Sequence, residues 1–243
     1  MDGFEYSEVP AEYEALKWLD SLFIAGMGLG WLAYYLNVAY TSFRDQTYSM
    51  TIAGITINFA WEIVYCLVYP AKGMVERVAF FLGLLLDITV IYAAIRNGSN
   101  EWRQSPLVMN NLALAFAGMA LFWLSGHLAL AAQLGPGLAY SWGAVVCQMF
   151  ISVGDVFLLL TRASTRGASY TKWLSRFLGS ISTIGFAYIR WAYWPGAFAW
   201  LNCPLILWAV AVFFLSELLY GFCFFLIKRQ EEASQLDDKH KRK

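Results

Sequence analysis

Four carboxylic acids of this 243-residue chain lie inside apolar runs, and they are the residues best suited to chemistry: Glu62, Asp87, Asp155 and Glu217. An Asp at the centre of a membrane helix costs about 2.5–3.5 kcal/mol on insertion scales, so such residues mark functional sites by default. Desolvation favours the protonated form of a carboxyl group unless a cation lies close to it. These acids therefore predict proton donation within a dry pocket.

Glu62 lies in the segment NFAWEIVYCLVYP, on a helix face that carries further polar side chains. Asn58, Glu62, Tyr65 and Tyr69 recur at i, i+4, i+7 and i+11, which places all four along one stripe of a helix. One face of this helix is thus polar and capable of hydrogen bonding. The alternative is that the Glu62 carboxyl only hydrogen-bonds a neighbouring helix.

The other three acids differ in their surroundings. The rise of 1.5 Å per helical residue allows Glu217 to face the same cavity as Glu62, slightly offset in depth. A structural hydrogen bond is the alternative for Glu217, and it suits Asp87 at least as well because the flanks of Asp87 are aliphatic. Asp155 lies close to Arg162 near the end of its run, so we expect an ion pair between them.

Aromatic residues near the middle of the runs suggest a lined cavity. Trp31, Trp61, Trp123 and Phe213 are of this kind, and ring faces in a cavity stabilise a passing cation. Trp and Tyr residues at the ends of runs are more simply interface anchors. Arg190 lies among such residues, where it either snorkels to the interface or pairs with a carboxylate. A buried acid with aromatic walls is what a carbocation reaction needs.

Transmembrane helices must position these residues. The chain is 59% hydrophobic and 14% charged, unlike a soluble domain. Seven runs are long and apolar enough to span a bilayer: 20–40, 50–69, 75–95, 107–131, 138–161, 174–194 and 204–227. We predict an all-α integral membrane protein with an acidic N-terminal segment at 1–19, a bundle of seven transmembrane helices at 20–227 and a charged tail at 228–243.

The distribution of basic residues predicts the orientation of this bundle. Three Lys and Arg residues fall on the N-terminal side of the seven runs and thirteen on the other side. The positive-inside rule then makes the C-terminus cytosolic and the N-terminus lumenal. The final KHKRK resembles a dilysine signal for retention in the endoplasmic reticulum, although an ordinary basic flank has the same composition.

Several classes of site are disfavoured by the motifs that the sequence lacks. It has no P-loop, no G-x-G-x-x-G after a strand, no G-x-S-x-G and no H-E-x-x-H. Its two histidines do not supply a His-rich metal site. The four cysteines lie in or beside apolar runs without C-x-x-C spacing, which favours free thiols. We predict no cofactor, no metal ion and no nucleic-acid partner.

Six motifs spread along the chain carry a resemblance to a known family. They are AWEIVYCLVYP, NEW at 100–102, GHLALAAQLGP at 126–136, AYSWGAV at 139–145, STRGASYTKWLSRFLGS at 164–180 and the acid in LSELLYG. With these motifs the chain resembles the fungal membrane-bound terpene cyclases of meroterpenoid and indole-diterpene pathways, most closely the paxilline type. The resemblance covers nearly the whole chain in order and includes loops.

The resemblance implies a seven-helix membrane enzyme that uses no metal or other cofactor. Members take a prenylated aromatic compound whose terminal alkene a separate flavin monooxygenase has epoxidised. They protonate the epoxide, and the resulting cation closes rings. The implied substrate here is epoxidised 3-geranylgeranylindole, which would enter from the membrane lipid and yield a paspaline-type indole diterpene. The flavin monooxygenase would be the pathway partner.

The resemblance also assigns residues. The family requires an acid in the second span and one in the last span, which correspond to Glu62 and Glu217. The second acid is Asp in several relatives, so Glu217 is longer by one methylene. We expect Glu62 to be the general acid, assisted by a hydrogen bond from Glu217 and oriented by Asn58 and Tyr65. The roles of donor and terminal base remain interchangeable between the two acids.

A function of a different class is also compatible with intramembrane acids. A seven-span proton-coupled transporter or lipid-binding receptor would use them to carry protons or bind a cationic ligand. Transporters of that kind often have internal repeats or broken helices. The chain has no internal repeat, and its prolines within 70–204 fall at or near the ends of runs. The sequence therefore favours the cyclase.

Overall fold

The computed structural model describes the backbone of residues 8–241 and the side chains of residues 8–237. In this part of the chain every regular element is helical. The first seven residues of the predicted N-terminal segment lie outside the described residues, and so do the side chains of the KHKRK motif. The predicted all-α fold is confirmed.

Seven long helices form the described part of the protein. They are α1 (Ala11–Asp45), α2 (Ile52–Ile63, continued by a π-helical turn at Val64–Val68), α3 (Met74–Gly98), α4 (Leu112–Leu134), α5 (Pro136–Arg162), α6 (Tyr170–Tyr193) and α7 (Pro204–Lys241). Short helical turns in the connections are Ser99–Trp102, Pro106–Asn110, Pro195–Phe198 and Ala199–Leu201. Each long helix coincides with one of the seven predicted apolar runs.

Five of these helices are long and apolar enough to cross a membrane, namely α1, α3, α4, α5 and α7. The helix α2 with its π-helical turn is apolar but shorter. The helix α6 carries Lys172 and Arg176, both buried, and these charges make it less apolar than the other long helices. The five apolar helices agree with an integral membrane protein, whereas the count of seven spans stays a prediction.

Local sequence signals set where the helices next to the buried acids begin. The Thr51 hydroxyl accepts a hydrogen bond from the Gly54 amide at 3.1 Å and caps α2. The Ser169 hydroxyl accepts one from the Lys172 amide at 3.0 Å and caps α6. Pro136 is the first residue of α5 and needs no amide partner there. These caps fix the register of Glu62 on α2 and of the basic residues on α6.

The helices α1 and α6 approach closely because two glycines meet between them. A Cβ atom added at Gly30 would lie 2.5 Å from the Cα atom of Gly179. We expect Gly30→Ala to push the helices apart and lower the free energy of unfolding by about 1–3 kcal/mol. Gly28→Ala is the matched control, since a Cβ there meets nothing within 4 Å. Thermal unfolding in detergent compares the two variants, and equal stability would contradict the expected clash.

Candidate active site

The four buried acids form two separate pairs. The Glu62–Asp87 pair lies between α2 and α3, and the second pair joins Asp155 on α5 to Glu217 on α7. Asp87, Asp155 and Glu217 are almost fully buried. Glu62 is partly buried as a residue, but its Oε2 atom is shielded from solvent. The two pairs differ in the charges that surround them.

The Glu62–Asp87 pair occupies successive turns of the contact between α2 and α3. The Asn58 amide donates a hydrogen bond from Nδ2 to Asp87 Oδ2 at 2.8 Å. One turn further along both helices, the Glu62 carboxyl lies against Gly83, where a Cβ would be 3.0 Å from Oε1. Among the described residues, no Lys, Arg or His side chain bonds to either carboxyl. Nothing in this site compensates two negative charges.

Two buried polar atoms in this region have no hydrogen-bond partner among the described residues. They are Oε2 of Glu62 itself and the hydroxyl of Tyr65. We expected Asn58 and Tyr65 to orient Glu62. Asn58 instead holds Asp87, and the Tyr65 hydroxyl bonds to no described residue. The π-helical turn begins at Val64, just after Glu62. Tyr65 lies within this turn, where the α-helical spacing used for the prediction does not hold.

Aromatic rings gather around Trp61, the neighbour of Glu62 in the chain. The ring centroid of Trp61 lies 4.7 Å from that of Tyr140 and 5.5 Å from that of Phe80. Tyr65 packs edge-on to Tyr140 at 5.1 Å. The Trp61 indole donates a hydrogen bond to the Tyr140 carbonyl oxygen at 3.0 Å, which fixes its ring. Tyr140 also interacts electrostatically with Glu62, so this electron-rich group of rings lies near the acid and can stabilise cations there.

The second pair belongs to a buried charge network that we name the Arg176 cluster: Arg176, Lys172, Asp155, Glu217 and Ser152. Arg176 donates from Nε to Glu217 Oε1 at 2.8 Å and from Nη2 to Glu217 Oε2 at 3.1 Å. The Nη1 atom of Arg176 donates to Asp155 Oδ2. The same Asp155 oxygen lies 3.0 Å from Lys172 Nζ. The Ser152 hydroxyl donates to Glu217 Oε1 at 2.8 Å. Two cations thus balance two carboxylates, and the hydrogen bonds that Arg176 donates to Glu217 are charge-assisted.

This network corrects two of our expectations. Glu217 makes its hydrogen bonds within the Arg176 cluster, and none of its bonds in the described chain goes to Glu62. Asp155 pairs with Lys172 and Arg176 rather than with Arg162, whose Nε lies 3.5 Å from Glu101. Both differences have one cause, because α6 brings two cations into the bundle between α5 and α7.

Sequence reasoning missed Lys172 and Arg176 because it counted them among the basic residues outside the membrane. Their spacing of four residues places both on one face of α6, and two acids on other helices were available as partners. Two cations on one helix face, together with two acids in other apolar runs, could have predicted a buried ion-pair network. Arg190 follows the second of its two alternatives, since its guanidinium pairs with Asp20 on α1 through two contacts of 3.0 Å.

Gly83 leaves the room that the Glu62 carboxyl occupies. We expect Gly83→Ala to displace this carboxyl, because the new Cβ would lie 3.0–3.2 Å from its atoms. Since misplacing a reacting group by about 1 Å can lower a rate by about 10²-fold, turnover should fall while thermal stability is kept. Turnover and melting temperature are measured together. Gly118→Ala on α4 is the control, since a Cβ there meets nothing within 4 Å; equal turnover in the two variants would contradict this role.

Comparison with known proteins agrees with the sequence motifs. A family model described as Pyr4-like transmembrane terpene cyclases matches residues 4–230. The chain is 55% identical to terpene cyclase janB of Penicillium janthinellum and 53% identical to terpene cyclase paxB of Penicillium paxilli, over 96% of each chain. It is 50% identical to terpene cyclase nodB of Hypoxylon pulicicidum over 99% of each chain. No solved structure matches the chain.

Proposed function

This chain belongs to the Pyr4-like transmembrane terpene cyclases, and we propose that it protonates the terminal epoxide of a prenylated aromatic substrate and so starts a cationic cyclisation. The chain is a membrane terpene cyclase on the evidence of its family and its close relatives. The comparisons give no support to a transporter or a receptor.

One observation carries the assignment of the acid. Glu62 Oε2 is buried without a hydrogen-bond partner among the described residues, and no described cation bonds to this carboxyl. Glu62 interacts electrostatically with Tyr140, whose ring packs on Trp61. Such a carboxyl favours its protonated form and is free to donate to a substrate oxygen. Glu217 is bound on both oxygens and faces Arg176. We assign Glu62 as the general acid and Glu217 as the anion that anchors Arg176.

The proposed reaction is an isomerisation in which the proton is returned. Glu62 gives its proton to the epoxide oxygen, the carbon–oxygen bond at the more substituted carbon breaks, and the oxygen becomes a hydroxyl group. Alkene electron pairs then form carbon–carbon bonds to the successive cationic centres. The aromatic rings of Trp61, Phe80 and Tyr140 stabilise these cations. Loss of a C–H proton to the Glu62 carboxylate ends the sequence and restores the acid.

The substrate class follows from the site and from the relatives together. An apolar site inside a membrane protein suits a prenyl chain that arrives through the lipid. The resemblance to indole-diterpene cyclases makes epoxidised 3-geranylgeranylindole the proposed substrate and a paspaline-type indole diterpene the proposed product. A flavin monooxygenase would supply the epoxide, so we propose it as the pathway partner.

We further propose that all seven long helices span the membrane, with the N-terminus lumenal and the C-terminus cytosolic, in the endoplasmic reticulum. The seven spans would form one cyclase domain at 20–227 between the N-terminal segment 1–19 and the tail 228–243. The charges of α6 do not oppose this topology, because Lys172 and Arg176 are neutralised by Asp155 and Glu217 inside the bundle. The length of α2 is also sufficient if the bilayer thins locally.

The proposed function is tested with microsomes that contain the protein and synthetic epoxidised 3-geranylgeranylindole. Products are followed by chromatography with mass detection, without added flavin or nicotinamide. We expect a new product of the same mass as the epoxide, absent from microsomes that lack the protein. No conversion by folded protein would overturn the proposed substrate.

A further inference from the structure

Asp87 is a buried carboxyl to which the mechanism above gives no step. It is 2% exposed and lies one helical turn after Gly83, which contacts the Glu62 carboxyl. Its Oδ2 atom accepts the hydrogen bond from Asn58, and Asn58 lies one turn before Glu62. The two carboxyls therefore lie on successive turns of a single helix–helix contact, and they interact electrostatically.

Two carboxylates so close together in a desolvated site do not both ionise. The titratable groups that interact electrostatically with the pair are Tyr35 on α1, Cys66 in the π-helical turn of α2, and Tyr140 and Cys147 on α5. None of these is a cation. The pair accordingly holds at most one negative charge.

The hydrogen bonds decide which carboxyl takes that charge. Asn58 donates to Asp87 and so stabilises an anion there. Glu62 Oε2 receives no hydrogen bond. Surroundings that differ in this way divide two carboxyls into an acid and an anion.

We propose that Asp87 is the ionised partner of Glu62, a positioning residue whose carboxylate keeps the proton on Glu62 until an epoxide oxygen arrives. The negative charge on Asp87 disfavours ionisation of Glu62. The general acid therefore keeps its proton over the pH range in which the enzyme works. The same charge favours the carbocations that form next to it. This inference rests on the proposed role of Glu62.

The first test is the pH dependence of turnover in detergent-solubilised Asp87→Asn. In the wild type, activity should be lost as the pH is raised, when Glu62 gives up its proton. Removal of the neighbouring anion makes that ionisation easier, so in the variant the loss should move to lower pH. Turnover at its optimum should also fall by about tenfold or more. If the role of Asp87 were purely structural, Asp87→Asn would lower the activity without changing the pH at which activity is lost.

The second test needs no activity and so remains decisive if Asp87→Asn is inactive. Infrared difference spectra of the protein report the carbonyl band of protonated carboxyl groups. At neutral pH we expect the band to be present in the wild type, lost in Glu62→Gln and retained in Asp87→Asn. On titration it should disappear at lower pH in Asp87→Asn than in the wild type.

Thr89→Val is the matched control on the same helix, because the Thr89 hydroxyl is exposed and bonds only to the Leu85 carbonyl oxygen. It should leave the pH limb and the infrared band unchanged. Folded wild-type protein that does not convert the epoxide would overturn the proposed substrate, and the infrared test would then decide the role of Asp87. Conversion with the same pH limb and the same band titration in wild type and Asp87→Asn would overturn the role of Asp87 alone.

Discussion

Replacing Glu62 by Gln should abolish cyclisation while the protein stays folded. Gln keeps the shape of the side chain but lacks the proton that opens the epoxide. Loss of a general acid typically lowers a rate by 10²–10⁴-fold, and epoxide opening starts every later step, so we expect a fall of at least about 10²-fold. The measurement is the rate of product formation from the synthetic epoxide per mole of folded protein.

The fold should be insensitive to this change, because the Glu62 carboxyl forms no ion pair and its Oε2 atom has no hydrogen-bond partner in the described chain. Glu232→Gln serves as the control, since Glu232 is exposed on α7 and lies 3.9 Å from Lys228. Both variants should melt within a few degrees of the wild type. Unchanged cyclisation by Glu62→Gln would contradict the assignment of Glu62 as the general acid.

Replacing Arg176 by Met should have the largest effect on stability. Arg176 is fully buried and contacts both Asp155 and Glu217. Its removal leaves two buried carboxylates with only Lys172 to balance them. Breaking a buried ion pair by removing one partner costs about 3–5 kcal/mol. We expect a much lower melting temperature in detergent and a reduced yield of folded protein.

The double variant Arg176→Met with Glu217→Gln tests whether charge balance is the reason. It removes one cation and one anion, so that Lys172 again matches Asp155, and the Gln side chain still accepts from Ser152. Because the two residues are in contact, their effects should not add. We expect the double variant to regain at least half of the lost stability. A double variant no more stable than Arg176→Met would contradict the charge-balance argument.

This pair of variants also bears on Glu217 itself. If Glu217 acts by anchoring Arg176, a stable double variant should keep measurable cyclisation, since Glu62 still holds its proton. A double variant that is stable but as inactive as Glu62→Gln would instead give Glu217 a direct part in proton transfer. The outcome therefore shows whether Glu217 only anchors Arg176 or also takes part in proton transfer.

The helical elements could be predicted from the sequence because hydrophobicity is a local property. All seven apolar runs coincide with long helices. The contact of Asn58 on α2 with Asp87 on α3 was not predicted, because it depends on how the two helices pack. The family could be recognised as well, since loop motifs such as STRGASYTKWLSRFLGS are specific. The helix boundaries were less accurate, because α1 begins at Ala11, within the predicted N-terminal segment.

The sequence by itself determined a helical membrane protein with buried acids and the family to which it belongs. Tertiary structure alone decided which acids have cationic neighbours. Arg176 and Glu217 are 41 residues apart in the chain, and only the packing of α6 against α7 joins them. The π-helical turn that contains Tyr65 was likewise not predicted, and the Tyr65 hydroxyl bonds to no described residue. Charged neighbours are set by helix packing, so the difference between Glu62, which no described cation contacts, and Glu217, which pairs with Arg176, appears only in the folded bundle.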